Sequence, residues 1–154
     1  MGDCQTCEWA GRRDAGLAPR WEAIARTSAW DVVHAIDTAI EGWLVLVARR
    51  HVAAVADLTD REAAELGPLL KSTSRALHEV TGCEKTYVVQ FAEHPRHRHV
   101  HVHVVPRAAD MPDDQRGPNV FTQLGVTEES VVPEARRDEI VTAVAARLDL
   151  PEPA

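Results

Sequence analysis

His99-Val100-His101-Val102-His103-Val104-Val105-Pro106 decides the fold. Strict alternation of polar and β-branched residues specifies a strand, whose successive side chains point to opposite faces. The three histidines then share one face, and Val100, Val102 and Val104 share the other. The valine face belongs to a core. The histidine face holds three imidazoles, each about 7 Å from the next along the strand. Five of the eight histidines lie between His94 and His103. A merely solvated strand face rarely uses histidine alone, so the run points to chemistry. His-x-His is also a ligand spacing in zinc hydrolases. That alternative needs further ligands, and only His34, His51 and His78 lie outside the cluster.

Working outward, Lys85 to Phe91 reads as another strand, joined to the ladder by a short loop, Ala92 to Arg98, loaded with His and Arg. Upstream, Trp30 to Ile36 and Trp43 to Val47 are β-branched or apolar enough for two more strands across a turn. Thr59 and Glu62 are spaced as a capping box. Leu66, Leu69, Leu70, Ala76, Leu77 and Val80 follow at helical spacing until Gly82 stops the helix. Pro68 is expected to kink that helix or to start a second one. Trp21 to Arg26 is expected as a short helix or a strand, and the first twenty residues as mostly irregular. Residues 107–125 read as an extended loop, and Pro133 opens a last helix with Ile140, Val144, Ala145 and Leu148 on one face. The order predicts an α+β domain, an antiparallel sheet with one helix packed on it and a C-terminal helix. Residues 1–107 are expected to form the core with its N-terminal segment, and 108–154 a loop and helix of the same domain.

Length and charge narrow the function. The 154 residues suffice for one domain with a real core. A net charge of -7 argues against binding a nucleic-acid polymer, which needs a basic footprint. It leaves room for a small phosphate ligand in a local pocket. Apolar runs such as Leu44 to Ala48 are too short for a membrane span, and no signal pattern opens the chain, so a cytoplasmic location is expected. Three cysteines make no even disulfide set. Cys4-x-x-Cys7 reads as a metal half-site or a redox pair, and Cys83 as a small buried apolar residue.

The ladder resembles the signature of the histidine-triad (HIT) superfamily, three alternating histidines separated by hydrophobic residues. Pro106-Arg107 after it resembles the Fhit and bacterial HIT hydrolase branches. Gly42-Trp43-Leu44-Val45-Leu46-Val47-Ala48-Arg49-Arg50-His51 is similar to the family's Gly-His-x-Leu-Val-Ile-Pro-Lys-x-His segment, and Cys4-x-x-Cys7 matches a pair near the start of many bacterial members. These pieces stand in family order over about residues 4 to 107. The resemblance implies a HIT-like fold and a hydrolase or nucleotidyl transferase. Such an enzyme cleaves a phosphoester, phosphoanhydride or phosphoramidate at the α-phosphate of a dinucleoside polyphosphate or adenylated substrate. It implies His101 as nucleophile, through a nucleotidyl-histidine, and His103 as phosphate contact. It further implies a structural zinc on Cys4, Cys7, His51 and His99, and a homodimer. A non-catalytic nucleotide-binding protein is the alternative from another class.

Substrate contacts depart from the family pattern. Glu93-His94-Pro95-Arg96-His97-Arg98 replaces a Gly-Gln-Ser/Thr loop, so Arg96, His97 and Arg98 are the candidates for clamping phosphate. Gln90 stands where the family often has Asn. Ala35-Ile36-Asp37 stands in place of Asp-Ile-Ser, leaving Ile36 and Asp37 as candidate ribose contacts. Trp43 replaces a histidine and is expected in the core, with stacking on a ring as the other role.

Overall fold

A computed structural model describes residues 4–150. Five strands, β1 (Ala25–Arg26), β2 (Trp30–His34), β3 (Leu44–Ala48), β4 (Lys85–Val89) and β5 (His101–Arg107), form one antiparallel sheet in the order β1-β2-β3-β5-β4. Alternation sorts the side chains by face. Trp30, Val32, Leu44, Leu46, Val102 and Val104 pack under Leu69, Ala76 and Leu77 of helix α2 (Asp60–Thr81). Ile140 and Val144 of helix α3 (Glu134–Ala145) close the same core. The opposite face carries Val33, Val45, Val47 and Val105, covered in part by Met111 and Val120. Register sets the functional face: His103 lies opposite Val45, and His101 opposite Val47.

Helix α2 begins and ends as its sequence specifies. Thr59 Oγ1 accepts from the Glu62 amide at 3.2 Å, and Glu62 accepts from the Thr59 amide at 2.8 Å. Gly82 closes it with φ of 66°. The expected interruption at Pro68 does not occur, and the helix runs unbroken through it. Pro68 and Ala64, whose carbonyl loses its partner, both lie on the exposed side, which leaves the freed group open to solvent. Before β3 the chain turns at Gly42, φ 79°, where a Cβ would stand 3.1 Å from Leu77.

Other expectations shift. The strand expected over Trp30 to Ile36 stops at His34, with one further in-register bond from the Ala35 amide to the Trp43 carbonyl before the turn. The strand expected over Lys85 to Phe91 stops at Val89. Trp21 to Arg26 becomes both alternatives in turn, a 3₁₀ turn over Arg20–Glu22 and then β1. The segment after Arg107 is folded into short 3₁₀ turns. The largest correction is at the start. Gln5–Asp14 is a helix, α1, not an irregular segment. Only Thr6 and Ala10 are buried along it, so no apolar stripe announced it, and its contacts with distant loops hold it in place.

Candidate functional site

The strand β5 carries two of the three histidines. His99 sits at a bend just before it and is fully buried. The Ala48 amide still bonds the Val100 carbonyl in the β3–β5 register, and Val100 joins Val102 and Val104 in the core under α2. His99 therefore keeps to the side of His101 and His103. His101 and His103 stand side by side, ring centroids 5.0 Å apart and nearly perpendicular. Their hydrogen bonds assign opposite roles. His101 Nδ1–H donates to the His99 carbonyl at 2.6 Å, which leaves Nε2 with a bare lone pair. His103 Nδ1 accepts from the Trp43 indole N–H at 3.0 Å, which places its own proton on Nε2. Burial lowers the pKa of both rings, that of His103 to about 3 with His101 adding to the shift. Both imidazoles are therefore neutral near pH 7. One is a lone-pair donor to an electrophile, and the other a fixed N–H donor.

These rings open into a cleft of about 850 Å³. Val33, Val45 and Val47 form its floor, Thr6, Trp9 and Arg13 of α1 one wall, and Phe91, His94 and His97 another. Of the expected substrate contacts, Ile36, Asp37 and His97 line the cleft. His97 is fixed there by Thr6 Oγ1 at 3.0 Å and by Trp9, ring centroids 5.1 Å apart. Gln90, Arg96 and Arg98 are not among the lining residues, and the two arginines are exposed. The Arg96 carbonyl instead accepts the Gln5 amide at 2.9 Å, tying the loop to α1.

Just before β5, Cys4, Cys7, His51 and His99 bring one donor atom each within 4.8 Å of one another. Cys7 Sγ stands 3.2 Å from His51 Nδ1 and 3.5 Å from His99 Nδ1, and Cys4 Sγ 3.8 Å from His99 Nδ1. Sulfur and nitrogen at the corners of a zinc tetrahedron are about 3.6 Å apart, given the usual bond lengths. His99 Nε2–H donates to the Ala48 carbonyl at 2.6 Å, turning the Nδ1 lone pair into the cluster. Burial and the neighbouring Cys4 push the Cys7 thiol up to about 11. Two thiolates this close need a cation to offset them, and the donor set suits zinc.

Trp43 was placed in the core by its sequence context, and it is wholly buried. Its indole edge also orients His103, a role that an apolar strand context does not advertise. Trp9 and Arg13 escaped notice because α1 did. Phe121 meets Trp43, His103 and Phe91 edge to face with centroids 5.2 to 5.3 Å apart. It comes from the segment after Arg107, to which no role was assigned.

A strand-borne pair of neutral imidazoles, with a third histidine committed to a Cys/His cluster, defines a histidine-triad domain. The chain belongs to that family: the HIT domain matches residues 22–110. This family includes nucleotide hydrolases and transferases as well as non-catalytic members. Among solved structures, a histidine triad protein from Bradyrhizobium japonicum is 23% identical with a TM-score of 0.68, over 82% of this chain and 90% of its own. A zinc-bound histidine triad family protein from Mycobacterium smegmatis is 19% identical with a TM-score of 0.65, over 94% and 91%. A hypothetical histidine triad nucleotide-binding protein from Sulfolobus tokodaii is 11% identical with a TM-score of 0.69, over 92% and 91%. No curated protein matches the chain. Among the described residues no helix is long and apolar enough to cross a membrane.

Proposed function

We propose that the protein is a nucleotide hydrolase or nucleotidyl transferase that works through a covalent nucleotidyl-histidine on His101. The observation that carries this reading is the pair of tautomers on β5. His101 Nε2, its lone pair free because Nδ1–H is bound by the His99 carbonyl, attacks the α-phosphorus. An N–P bond forms, the bond to the leaving group breaks, and the leaving group departs with the electron pair and takes up a proton. His103 Nε2–H donates to a non-bridging phosphate oxygen as charge develops there. In the second step a water oxygen, or the hydroxyl of another acceptor, bonds to phosphorus and the N–P bond breaks. The acceptor's proton goes to solvent or imidazole.

Cys4, Cys7, His51 and His99 would hold zinc as a closed structural site, with four protein ligands and no open position for substrate. Its contribution is to pin α1 to the core, while His99, held just before β5, fixes the carbonyl that orients His101. A catalytic metal on the ladder has less support. Among the described residues, the only cluster of three or more such donors is the Cys/His one, and His101 and His103 are outside it. His97, Ile36 and Asp37 are the nearer candidates for substrate contact, because they line the cleft.

The test is intact-mass spectrometry after acid-free quenching of reactions with a dinucleoside polyphosphate and with a nucleotidylated amine. A nucleotidyl adduct mapping to His101, absent from His101→Ala, is expected. Full turnover by His101→Ala defeats the proposal.

A further inference from the structure

The order of the sheet gives the cleft two arms. Strand β5 has β3 and β2 on one side and β4 on the other. Toward β2 lie the valine floor and the ribose candidates Ile36 and Asp37. On the other side β4 brings Val89 opposite His103 in register, and Phe91 follows two residues later at the rim. Phe91 is 55% exposed, yet its ring is braced. It meets Phe121, Phe121 meets His103, and His103 meets His101, with successive centroids 5.2, 5.2 and 5.0 Å apart. Each ring is tilted by 65° or more to the next. A row of edge-to-face rings therefore runs from the nucleophile to the rim, where Phe91 ends it with ring surface in the open. Packing of this kind favours one more ring at the end of the row.

The charges of the cleft narrow what that surface serves. Among the described residues that line it, Arg13 is the one lysine or arginine. Its side chain is 4% exposed and gives the Nε–H to Asp31 at 2.8 Å. Arg96 and Arg98 stand outside the lining. Asp37 and Glu93, both exposed, put carboxylates at the rim instead. A leaving phosphate chain carries several negative charges and calls for fixed cations around it. Here it would meet like charge. An apolar ring meets no such repulsion, and covering exposed phenyl surface is favourable in itself.

Resting on the nucleotidyl-histidine reading above, we propose that Phe91, braced by Phe121, holds the leaving group, and that this group is an amine or alcohol bearing an aromatic ring rather than a phosphate chain. As His101 Nε2 bonds to phosphorus, the bond from phosphorus to the amine nitrogen or alcohol oxygen breaks. That atom keeps the electron pair and takes a proton from solvent. The experiment compares kcat/KM of the full-length protein for adenosine 5′-phosphoramidates of 2-phenylethylamine and of n-propylamine. Diadenosine tetraphosphate, with and without magnesium, is the third substrate. The wild type is expected to favour the phenylethyl compound over the propyl one by about tenfold, with the tetraphosphate slowest. Phe91→Ala should bring the two phosphoramidates to parity, while Phe91→Tyr, which keeps a ring, should restore the preference. Reading the ratio within one protein cancels any general loss of activity, and thermal melting checks that the variants fold. Equal wild-type use of the two phosphoramidates overturns the proposal, as does faster cleavage of the tetraphosphate. So does a phenylethyl preference that survives in Phe91→Ala. A His101 adduct formed equally well from all three substrates sinks the leaving-group reading while the phosphorus chemistry stands. Calorimetric binding that favours the phenylethyl compound and is lost in Phe91→Ala, without any adduct, supports the aromatic arm and sinks the chemistry.

Discussion

Burying an imidazole costs little while it stays neutral, and His34 and His103 are both buried in that form. His34 donates from Nδ1 to the Ala35 carbonyl at 2.8 Å and accepts the Gly42 amide at Nε2, 3.1 Å away. Burial lowers its pKa to about 4, and that of His103 to about 3. In the unfolded chain both take a proton near pH 6.5. The unfolded state therefore binds more protons below that pH, and the stability these groups contribute is intact above it. It is lost as pH falls from about 6.5 toward 4 and 3. Between pH 7 and 5.5 the pair should cost about 2 to 3 kcal/mol of unfolding free energy, read from urea titrations. The measurement belongs in the Cys4→Ser, Cys7→Ser protein as well, because acid also strips thiolate-bound metal. A flat profile there would show that the rings are not held neutral. Trp43→Phe tests the other half of the site. Without the indole N–H, His103 is free to move its proton to Nδ1 and lose its N–H toward phosphate. We expect kcat to fall about tenfold to a hundredfold. Nitrogen-15 spectra should show His103 leaving the Nε2–H tautomer, a change that a loss of packing alone would not produce.

Helix α1 is where the Cys/His cluster meets the cleft. Cys4 and Cys7 stand at its first turn, where Thr6 also faces the cleft, and Trp9 and Arg13 face it further along. Purified protein is expected to hold one zinc per chain, as four-ligand sites do. In Cys4→Ser, Cys7→Ser protein zinc should be absent and α1 amides should exchange faster with solvent. KM should then rise more than kcat falls, because the β5 imidazoles keep their own partners. Zinc retained by that variant would place the ion elsewhere. The same helix shows where sequence reading stops. Strand β5 and helix α2 were legible because alternation, a capping box and a terminal glycine act within a few residues of one another. Helix α1 has no comparable local code. Its N-cap is Cys4 with no side-chain cap bond, and its anchors are His97, the Arg96 carbonyl and Asp31, 18 to 91 residues away. The Cys-x-x-Cys spacing was visible, but what it holds depends on where the chain folds back. The pairing of His101 and His103 was legible for a different reason: a two-residue period puts them on one face whatever surrounds them. Trp43's bond to His103 spans 60 residues and leaves no trace in either segment alone.

The sheet ends differently on its two sides. On one side β1 is only two residues long and is overlain by Arg26 and Asp31 pairing, with Arg13 reaching in from α1. A short edge flanked by charge resists further pairing. On the other side β4 runs five residues with one backbone edge unpaired, and its exposed apolar residues are Val88, 50% exposed, and Phe91 just beyond it, 55% exposed. Such an edge invites another strand, and the same strand of a second copy fits it by two-fold symmetry, each β4 supplying what the other lacks. With a net charge of -7 on each chain, association has to come from this apolar, hydrogen-bonding edge rather than from opposite charges. We therefore expect a homodimer that joins two five-stranded sheets through β4, with a mass by light scattering of twice the 17.0 kDa chain. Val88→Lys places a charge on that edge without touching the core and should shift the population to monomer while thermal melting stays cooperative. Phe91 lines the cleft as well as the edge, so the monomeric variant should also bind nucleotide more weakly. Wild-type protein that remains monomeric at tens of micromolar, or a Val88→Lys protein that stays dimeric, would place the contact on another surface.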